Sequence, residues 1–301
     1  MPDKSVWQRI TWKLMPATPV GRALVSATER LRDAGISTAN LDAQVILAHV
    51  LGVERSWLFA HHDYELSERQ AEVFADAIAR RAMHEPVAYL VGRKEFYGLE
   101  LLVDRRVLIP RPETELLVDA VIDHVAGREQ DDPVRVADIG TGSAAIALAV
   151  AHNCPQTQVY AVDISVDALE VARANVARLD TRGQVDVVTG DLLDTLPAPV
   201  DVIVANLPYI KSFDYARLDP TVRHYEPQLA LEAGPDGMDA IRRLLAQAPA
   251  HLRPGGVIVL EIAHDQGGLV IATAEELLPQ AKQVELKLDY AGLERLVMIL
   301  L

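Results

Sequence analysis

The 301-residue chain has one cysteine, Cys154, which excludes an internal disulfide and any thiolate cluster for zinc. Beside Asn153, at the expected end of a helix, it reads as a packing residue. No run of about 18 or more uninterrupted apolar residues occurs, so no membrane-spanning helix is expected. Residues 1–19 carry scattered charges with Trp7 and Trp12, but no compact apolar stretch followed by a cleavage site, so no secretory signal is expected. The nine histidines include adjacent His61 and His62, which stand apart from any Asp, Glu or His at ligand spacing; no metal is expected. Positive charge is also scarce. The formal net charge is −14. Residues 1–110 hold 14 basic and 14 acidic side chains, which leaves 15 basic and 29 acidic ones for residues 111–301. An enzyme gripping a phosphate backbone wants the opposite sign near its site, so direct nucleic-acid binding is not expected. A reducing, cytoplasmic setting is expected.

Half the residues are apolar, and the length suits one large domain with a smaller one. Leu41, Val45, Ile46 and Val50, stopped by Gly52, read as a helix. Ser67-Glu68-Arg69-Gln70 reads as a capping box before Ala71, Phe74, Ala75, Ile78 and Ala82 at helical spacing. These predict a helical bundle over residues 20–88, preceded by an extension over 1–19. Glu95 to Val103 and Val107 to Ile109 read as two strands joined by Asp104-Arg105-Arg106, a hairpin linker over 89–110. Glu113 to Ala126 reads as a helix stopped by Gly127. From residue 111 to 301, strands and helices alternate. Val134–Ile139, Gln158–Val162, Val185–Val188, Asp201–Ala205 and Val257–Glu261 read as strands. Helices are expected over Ser143–Ala151 and Val166–Leu179. The alternation predicts an α/β fold with an open, mainly parallel sheet. Val284–Leu288 and Arg295–Leu300 are expected to add an antiparallel edge.

The first of these strands runs into Asp138-Ile139-Gly140-Thr141-Gly142-Ser143. Glycines there let the backbone turn sharply and approach a ligand. A dinucleotide fingerprint wants a third glycine where Ala145 stands, and no Walker-type Gly-Lys-Ser/Thr follows. Asp163 ends the second strand, where a carboxylate accepts both ribose hydroxyls of a nucleoside. Asp191, after the third strand, is placed to reach an adenine amino group. These residues serve NAD and S-adenosylmethionine equally well, and either aspartate also suits a simple cap.

The fourth strand separates the two. Val202-Ile203-Val204-Ala205 leads into Asn206-Leu207-Pro208-Tyr209, which resembles the Asn-Pro-Pro-Tyr loop of methyltransferases acting on nitrogen conjugated to a planar system. Such a lone pair is delocalised and poorly nucleophilic. Two acceptors aimed at its N–H bonds orient it and stabilise the positive charge that develops during attack. Asn206 Oδ1 and the Leu207 carbonyl are those acceptors, and Tyr209 can stack on the planar group. Leu207 replaces the usual proline. Its carbonyl remains available and Pro208 still keeps residue 207 extended, so the Leu207 side chain is expected to matter little.

Further stretches narrow the resemblance: Pro86-Val87-Ala88-Tyr89-Leu90-Val91-Gly92, Glu95-Phe96-Tyr97-Gly98, Leu108-Ile109-Pro110-Arg111-Pro112-Glu113-Thr114-Glu115, Val222-Arg223-His224-Tyr225-Glu226-Pro227 and Gly234-Pro235-Asp236-Gly237. Together, over residues 20–301, the chain resembles the glutamine N5-methyltransferases of peptide-chain release factors. The resemblance implies a helical N-terminal substrate-recognition domain and a Rossmann-like methyltransferase domain. It implies S-adenosylmethionine as cofactor, leaving as S-adenosylhomocysteine. The acceptor it implies is the glutamine of the Gly-Gly-Gln tripeptide of class I, bacterial-type release factors. Gly140, Thr141, Gly142, Asp163, Leu192 and Asn206 then contact the cofactor, with Ser143, Ala144 and Asp191 completing its site. Asn206, Leu207, Pro208 and Tyr209 form the catalytic and substrate loop. Arg111 and Glu113 either line the same cleft or start a helix. Glu226-Pro227 stabilises a loop. Ala144 stands where the family usually has glycine and is expected to tighten the cofactor pocket. Two rivals share the loop: methylation of a ribosomal-protein glutamine, and adenine-N6 or rRNA methylation, which the acidic catalytic half disfavours. A non-catalytic cofactor-binding module fits poorly with an intact Asn206 and Tyr209.

Overall fold

The computed structural model describes residues 14–126, 133–180 and 182–301. Trp7, Trp12, most of the expected extension and the Gly127 helix stop lie outside them. The chain forms two compact units, residues 1–92 with Pro220–Tyr225, and Arg93–Asp219 with Glu226–Leu301.

The first unit is helical: α1 (Val20–Asp33), α2 (Ala39–Leu51), α3 (Arg55–Ala60), α4 (Glu68–Arg81) and α5 (Val87–Val91). Gly52 ends α2 in the left-handed region at φ 67°. The capping box opens α4, with the Gln70 N–H donating to Ser67 Oγ and the Ser67 N–H to Gln70 Oε1, worth about 1 kcal/mol. The apolar faces of α1, α2 and α4 bury Leu31, Ile46, Phe74 and Ile78 in one core. Each such side chain contributes about 1.5–3 kcal/mol. Inside it, Arg81 donates to Asp42 at 2.7 Å, and the Thr38 hydroxyl donates to the same carboxylate.

The second unit opens with strands β1 (Arg93–Phe96) and β2 (Leu99–Leu102), paired antiparallel. Here the structure corrects the expected hairpin. Its turn is Tyr97-Gly98, with φ of 51° and 77°, the left-handed pair that a two-residue turn requires. Glu95 to Val103 is therefore two strands, and Val107 to Ile109 is not a strand. The Ile109 N–H donates instead to Glu226. Tyr97 is held in its unfavourable conformation by its N–H on Glu115 and its hydroxyl on Asp119.

A 3-10 turn, Pro112–Thr114, leads into α6 (Glu115–Ala126). Strands β3 (Val134–Ile139), β4 (Thr157–Asp163), β5 (Val185–Thr189), β6 (Val200–Ala205), β7 (Leu252–Glu261), β8 (Gln283–Leu288) and β9 (Glu294–Leu300) form a seven-stranded sheet ordered β5-β4-β3-β6-β7-β9-β8. All pairs are parallel except those of β9 with β7 and β8. Helices α7 (Ala145–Asn153) and α8 (Val166–Leu179) follow β3 and β4. Short α9 (Ser212–Tyr215) and α10 (Pro220–Tyr225) follow β6, then α11 (Asp239–His251), with α12 (Gly267–Leu277) after β7.

Two cores flank the sheet. On β6, Val202 and Val204 join the core of α6 and α7, while Ile203 and Ala205 join that of α11. Val257 and Val259 on β7 split from Ile258 and Leu260 in the same way. Burial on both faces is why these strands read as unbroken apolar runs. Strand order reverses at β3, which pairs β4 on one side and β6 on the other. The register sets Ile139 beside Ala205. Gly140 and Asn206 therefore leave the sheet side by side, at the switch point where open α/β sheets bind ligands.

Candidate functional site

At the end of β3 the backbone doubles back. Gly140 and Gly142 take φ of 73° and 56°, and the Gly140 and Thr141 N–H groups both donate to the Val162 carbonyl. A Cβ on Gly140 would sit 3.2 Å from Leu207 Cδ2, so the acceptor loop packs directly on the glycine loop. Asp163, ending β4, accepts the Gly142 N–H on Oδ2 and the Ser165 N–H on Oδ1, each at 2.9 Å. Burial raises the Asp163 pKa, against the pull of those N–H groups.

Between these strand ends lies a cleft lined by Gly140, Gly142, Asp163, Asp191, Leu192, Asn206, Leu207 and Pro208 among others. Leu192, at φ 57°, offers an apolar wall. Asp191 accepts from Arg243 at 2.6 Å, a partner that sequence alone did not suggest. Thr141, Ser143 and Ala144 do not line the cleft. The Thr141 hydroxyl donates to Asp138 at 2.6 Å, and Ser143 is buried with its carbonyl taken by Asn175.

Ala144 departs most from expectation. Its methyl packs in the core beneath α7, and its φ is 64°, so it does not tighten the cofactor pocket. Its cost is backbone strain, about 1–2 kcal/mol for a left-handed alanine. A buried methyl worth about 0.8 kcal/mol offsets part of this. Ala144→Gly is therefore expected to shift stability by less than about 1 kcal/mol in urea unfolding and to leave cofactor affinity unchanged.

Asp138 is wholly buried, with Oδ2 shared by Thr141 and the Ala147 N–H and no hydrogen-bond partner for Oδ1. Burial pushes its carboxyl up to about 7. The folded protein thus keeps a proton that the unfolded chain has lost. Stability is fullest below about pH 4 and falls as pH rises toward 7. Asp138→Asn stays neutral and keeps an oxygen for both donors. Thermal melts at about pH 8 are expected to show it more stable than wild type, and the gap to close near pH 4.

The acceptor loop follows β6. The Asn206 Nδ2 group donates to Thr114 Oγ1 at 3.0 Å, the Thr114 hydroxyl donates to Glu261 Oε2 at 2.7 Å, and the Tyr209 hydroxyl donates to Glu261 Oε1 at 3.2 Å. Asn206 Oδ1 and the Leu207 carbonyl have no hydrogen-bond partner among the described residues. The Leu207 side chain is buried in the core under α11, where its apolar bulk contributes to stability. Tyr209 does not line the cleft, and burial followed by the Glu261 charge pushes its pKa up. Its carbonyl accepts from Gln266, and a Cβ on Gly237 would collide with that carbonyl at 2.2 Å. The Gly234–Gly237 turn thus braces the acceptor loop.

Arg111 and Glu113 do not line the cleft either. Arg111 donates to Glu226 at 2.5 Å, and that buried carboxylate also takes the Ile109 N–H. Glu113 lies in the 3-10 turn and lines a separate hollow with Glu115, Asp119 and Asp289. Thr114 between them reaches Asn206 instead. Thr114 and Glu261 are the residues that sequence reasoning missed. Thr114 lies within a stretch carrying the resemblance, and Glu261 is an acidic residue ending an apolar strand.

Residues 22–92 match the PrmC N-terminal domain and residues 113–217 the methyltransferase small domain. The release factor glutamine methyltransferase of Rhodopirellula baltica is 42% identical over 281 residues, 92% of this chain and 95% of that protein. That of Moorella thermoacetica is 42% identical over 275 residues, 91% of this chain and 95% of its own. Among solved structures, the hMettl16 catalytic domain in complex with the MAT2A 3'UTR hairpin 6 is similar in fold. Its TM-score is 0.55 at 17% identity, over 74% of this chain and 81% of that one. Identity of 42% over nine-tenths of the length places the chain in the release factor glutamine methyltransferase family.

Proposed function

We propose that this enzyme methylates the side-chain amide nitrogen of a glutamine, the one in the Gly-Gly-Gln tripeptide of class I, bacterial-type release factors. The observation that carries the reading is the pair of unoccupied acceptors, Asn206 Oδ1 and the Leu207 carbonyl, beside the glycine loop. Two acceptors match the two N–H bonds of a primary amide.

The residues of the cleft fit S-adenosylmethionine. Asp163 suits a ribose diol, Leu192 an adenine face, and Gly140 and Gly142 leave the backbone bare for close approach. Asp191, already paired with Arg243, stays within the same wall. When bound, S-adenosylmethionine supplies an electrophilic methyl group and leaves as S-adenosylhomocysteine. The chain's own part is positioning and electrostatics. Asn206 and Leu207 accept the amide N–H bonds, turning the nitrogen lone pair out of conjugation and stabilising charge as it develops. Pro208 keeps Leu207 extended so that its carbonyl faces the acceptor. Tyr209 anchors the end of the loop through its hydroxyl on Glu261. No general base and no metal is needed, because a methylated amide nitrogen sheds its proton readily to water.

The acidic catalytic half favours a protein acceptor without direct nucleic-acid contact. No described helix is long and apolar enough to cross a membrane, and a cytoplasmic setting suits a release-factor substrate. Labelled S-adenosylmethionine, offered separately with a release factor, a ribosomal protein and DNA, tests the reading. Label on the release factor alone is expected. Label on the ribosomal protein alone, or on DNA, overturns it.

A further inference from the structure

The two ends of an Asn206 side-chain amide are alike in shape and opposite in chemistry, and the reaction needs the oxygen end facing the acceptor. We propose that Thr114 and Glu261 are positioning residues that fix which end of Asn206 faces the cleft, an inference that rests on the glutamine-amide reading above. Neither is an element of the acceptor loop. They lie 92 and 55 residues from Asn206 along the chain, and the fold brings them to it.

The argument turns on one hydroxyl proton. Glu261 accepts on both oxygens, from the Thr114 hydroxyl on Oε2 and the Tyr209 hydroxyl on Oε1. The Thr114 hydroxyl, 2.7 Å from Glu261 Oε2, therefore spends its single proton there. That leaves only lone pairs on Thr114 Oγ1 for the group 3.0 Å away, so Asn206 must meet it with Nδ2–H. Oδ1 is then turned the other way. A flipped amide would set two acceptors against each other with no proton between them. That mismatch disfavours the flipped form by roughly 5- to 150-fold.

The arrangement is built for this rather than for stability. Glu261 is 2% exposed, and burial raises its pKa against the pull of the Thr114 and Tyr209 hydroxyls and of Arg295. Keeping a carboxyl group there is costly. What only the carboxylate supplies is direction. The same group takes the Tyr209 hydroxyl on its other oxygen, so it sets both polar ends of the loop, Asn206 through Thr114 and Tyr209 directly.

The test compares Thr114→Ser, Thr114→Val and Glu261→Met with wild type, using labelled S-adenosylmethionine and a Gly-Gly-Gln release factor. Cofactor affinity is followed by calorimetry. The Asn206 amide protons are followed by NMR in protein labelled with ¹⁵N-asparagine. Thr114→Ser keeps the hydroxyl and is expected to retain kcat within about threefold, whereas Thr114→Val loses about 10²-fold in kcat with cofactor affinity held within about threefold. Glu261→Met is expected to lose kcat similarly. The contact from the Asn206 amide protons to residue 114, present in wild type and Thr114→Ser, is expected to disappear in Glu261→Met.

Equal kcat losses in the serine and valine variants, or wild-type kcat in Thr114→Val, would overturn the proposal. So would an Asn206 amide with no contact to Thr114 in wild type. If Glu261→Met does not bind cofactor, the serine–valine pair decides. If wild type labels no glutamine at all, the functional reading fails, and the Asn206 contact by itself then supports or overturns the positioning role.

Discussion

Asn206→Ala is expected to lower kcat for methyl transfer by about 10²- to 10³-fold, the loss seen when one preorganised group facing developing charge is removed. Cofactor affinity should fall by no more than about tenfold, the worth of one neutral hydrogen bond. The asymmetry follows from the geometry. Asn206 is one of many residues lining the cofactor cleft, while in the proposed mechanism its free oxygen acts on charge that exists only as the amide is attacked. Leu207→Pro is the matched control. Its carbonyl persists, so kcat should stay within about threefold of wild type. Its buried side chain does not persist, and stability should drop by about 1–3 kcal/mol. Single-turnover rates and thermal melts separate the two effects, and comparable rate losses in both variants would contradict the loop mechanism.

Asp163→Ala is expected to weaken S-adenosylmethionine binding by about 10²-fold, since a carboxylate bond to a ribose hydroxyl is worth about 1.5–3 kcal/mol. The effect has a second source, because Asp163 also holds the Gly142 N–H and so shapes the glycine loop before any ligand arrives. The pH dependence follows from burial. Desolvation raises the Asp163 pKa against the pull of the backbone N–H groups of Ser165, Gly142 and Ile164. In the free protein the ionised form is therefore the costly one, and Asp163 contributes most stability at low pH and less as pH rises through its folded pKa. Binding runs the opposite way. Only the ionised carboxylate accepts both ribose hydroxyls, so affinity should weaken as pH falls through the raised pKa. Calorimetric titration carried toward acid pH should show this loss in wild type, and Asp163→Asn should show a weak, flat profile. An alanine variant that binds normally would remove Asp163 from the site.

Much of this was legible in the sequence because the sheet is buried on both faces. Val202-Ile203-Val204-Ala205 and Val257-Ile258-Val259-Leu260 feed two cores at once, the pattern a strand buried on both faces requires. The glycine loop, Asp163 and Asn206 were legible because each follows such a strand. The hairpin turn was not, since it places Tyr97 in a conformation that side chains rarely adopt and that only Glu115 and Asp119 sustain. Ala144 misled for a related reason. A residue type does not reveal whether its methyl faces the ligand or the core. Thr114 and Glu261 lie 147 residues apart, and a threonine in a turn and a glutamate ending a strand carry no signature of a shared proton. Local pattern reaches what one element needs for itself; it does not reach what two distant elements do together.

The central claim is that the acceptor is a glutamine amide, and one measurement tests it most directly. The enzyme is incubated with labelled S-adenosylmethionine and an intact release factor, or the same factor with its Gly-Gly-Gln changed to Gly-Gly-Ala, and the labelled residue is mapped by mass spectrometry. The account predicts a single methyl on the glutamine side-chain nitrogen and no label on the altered factor. Label that survives the change, or that maps to any other residue, would contradict it.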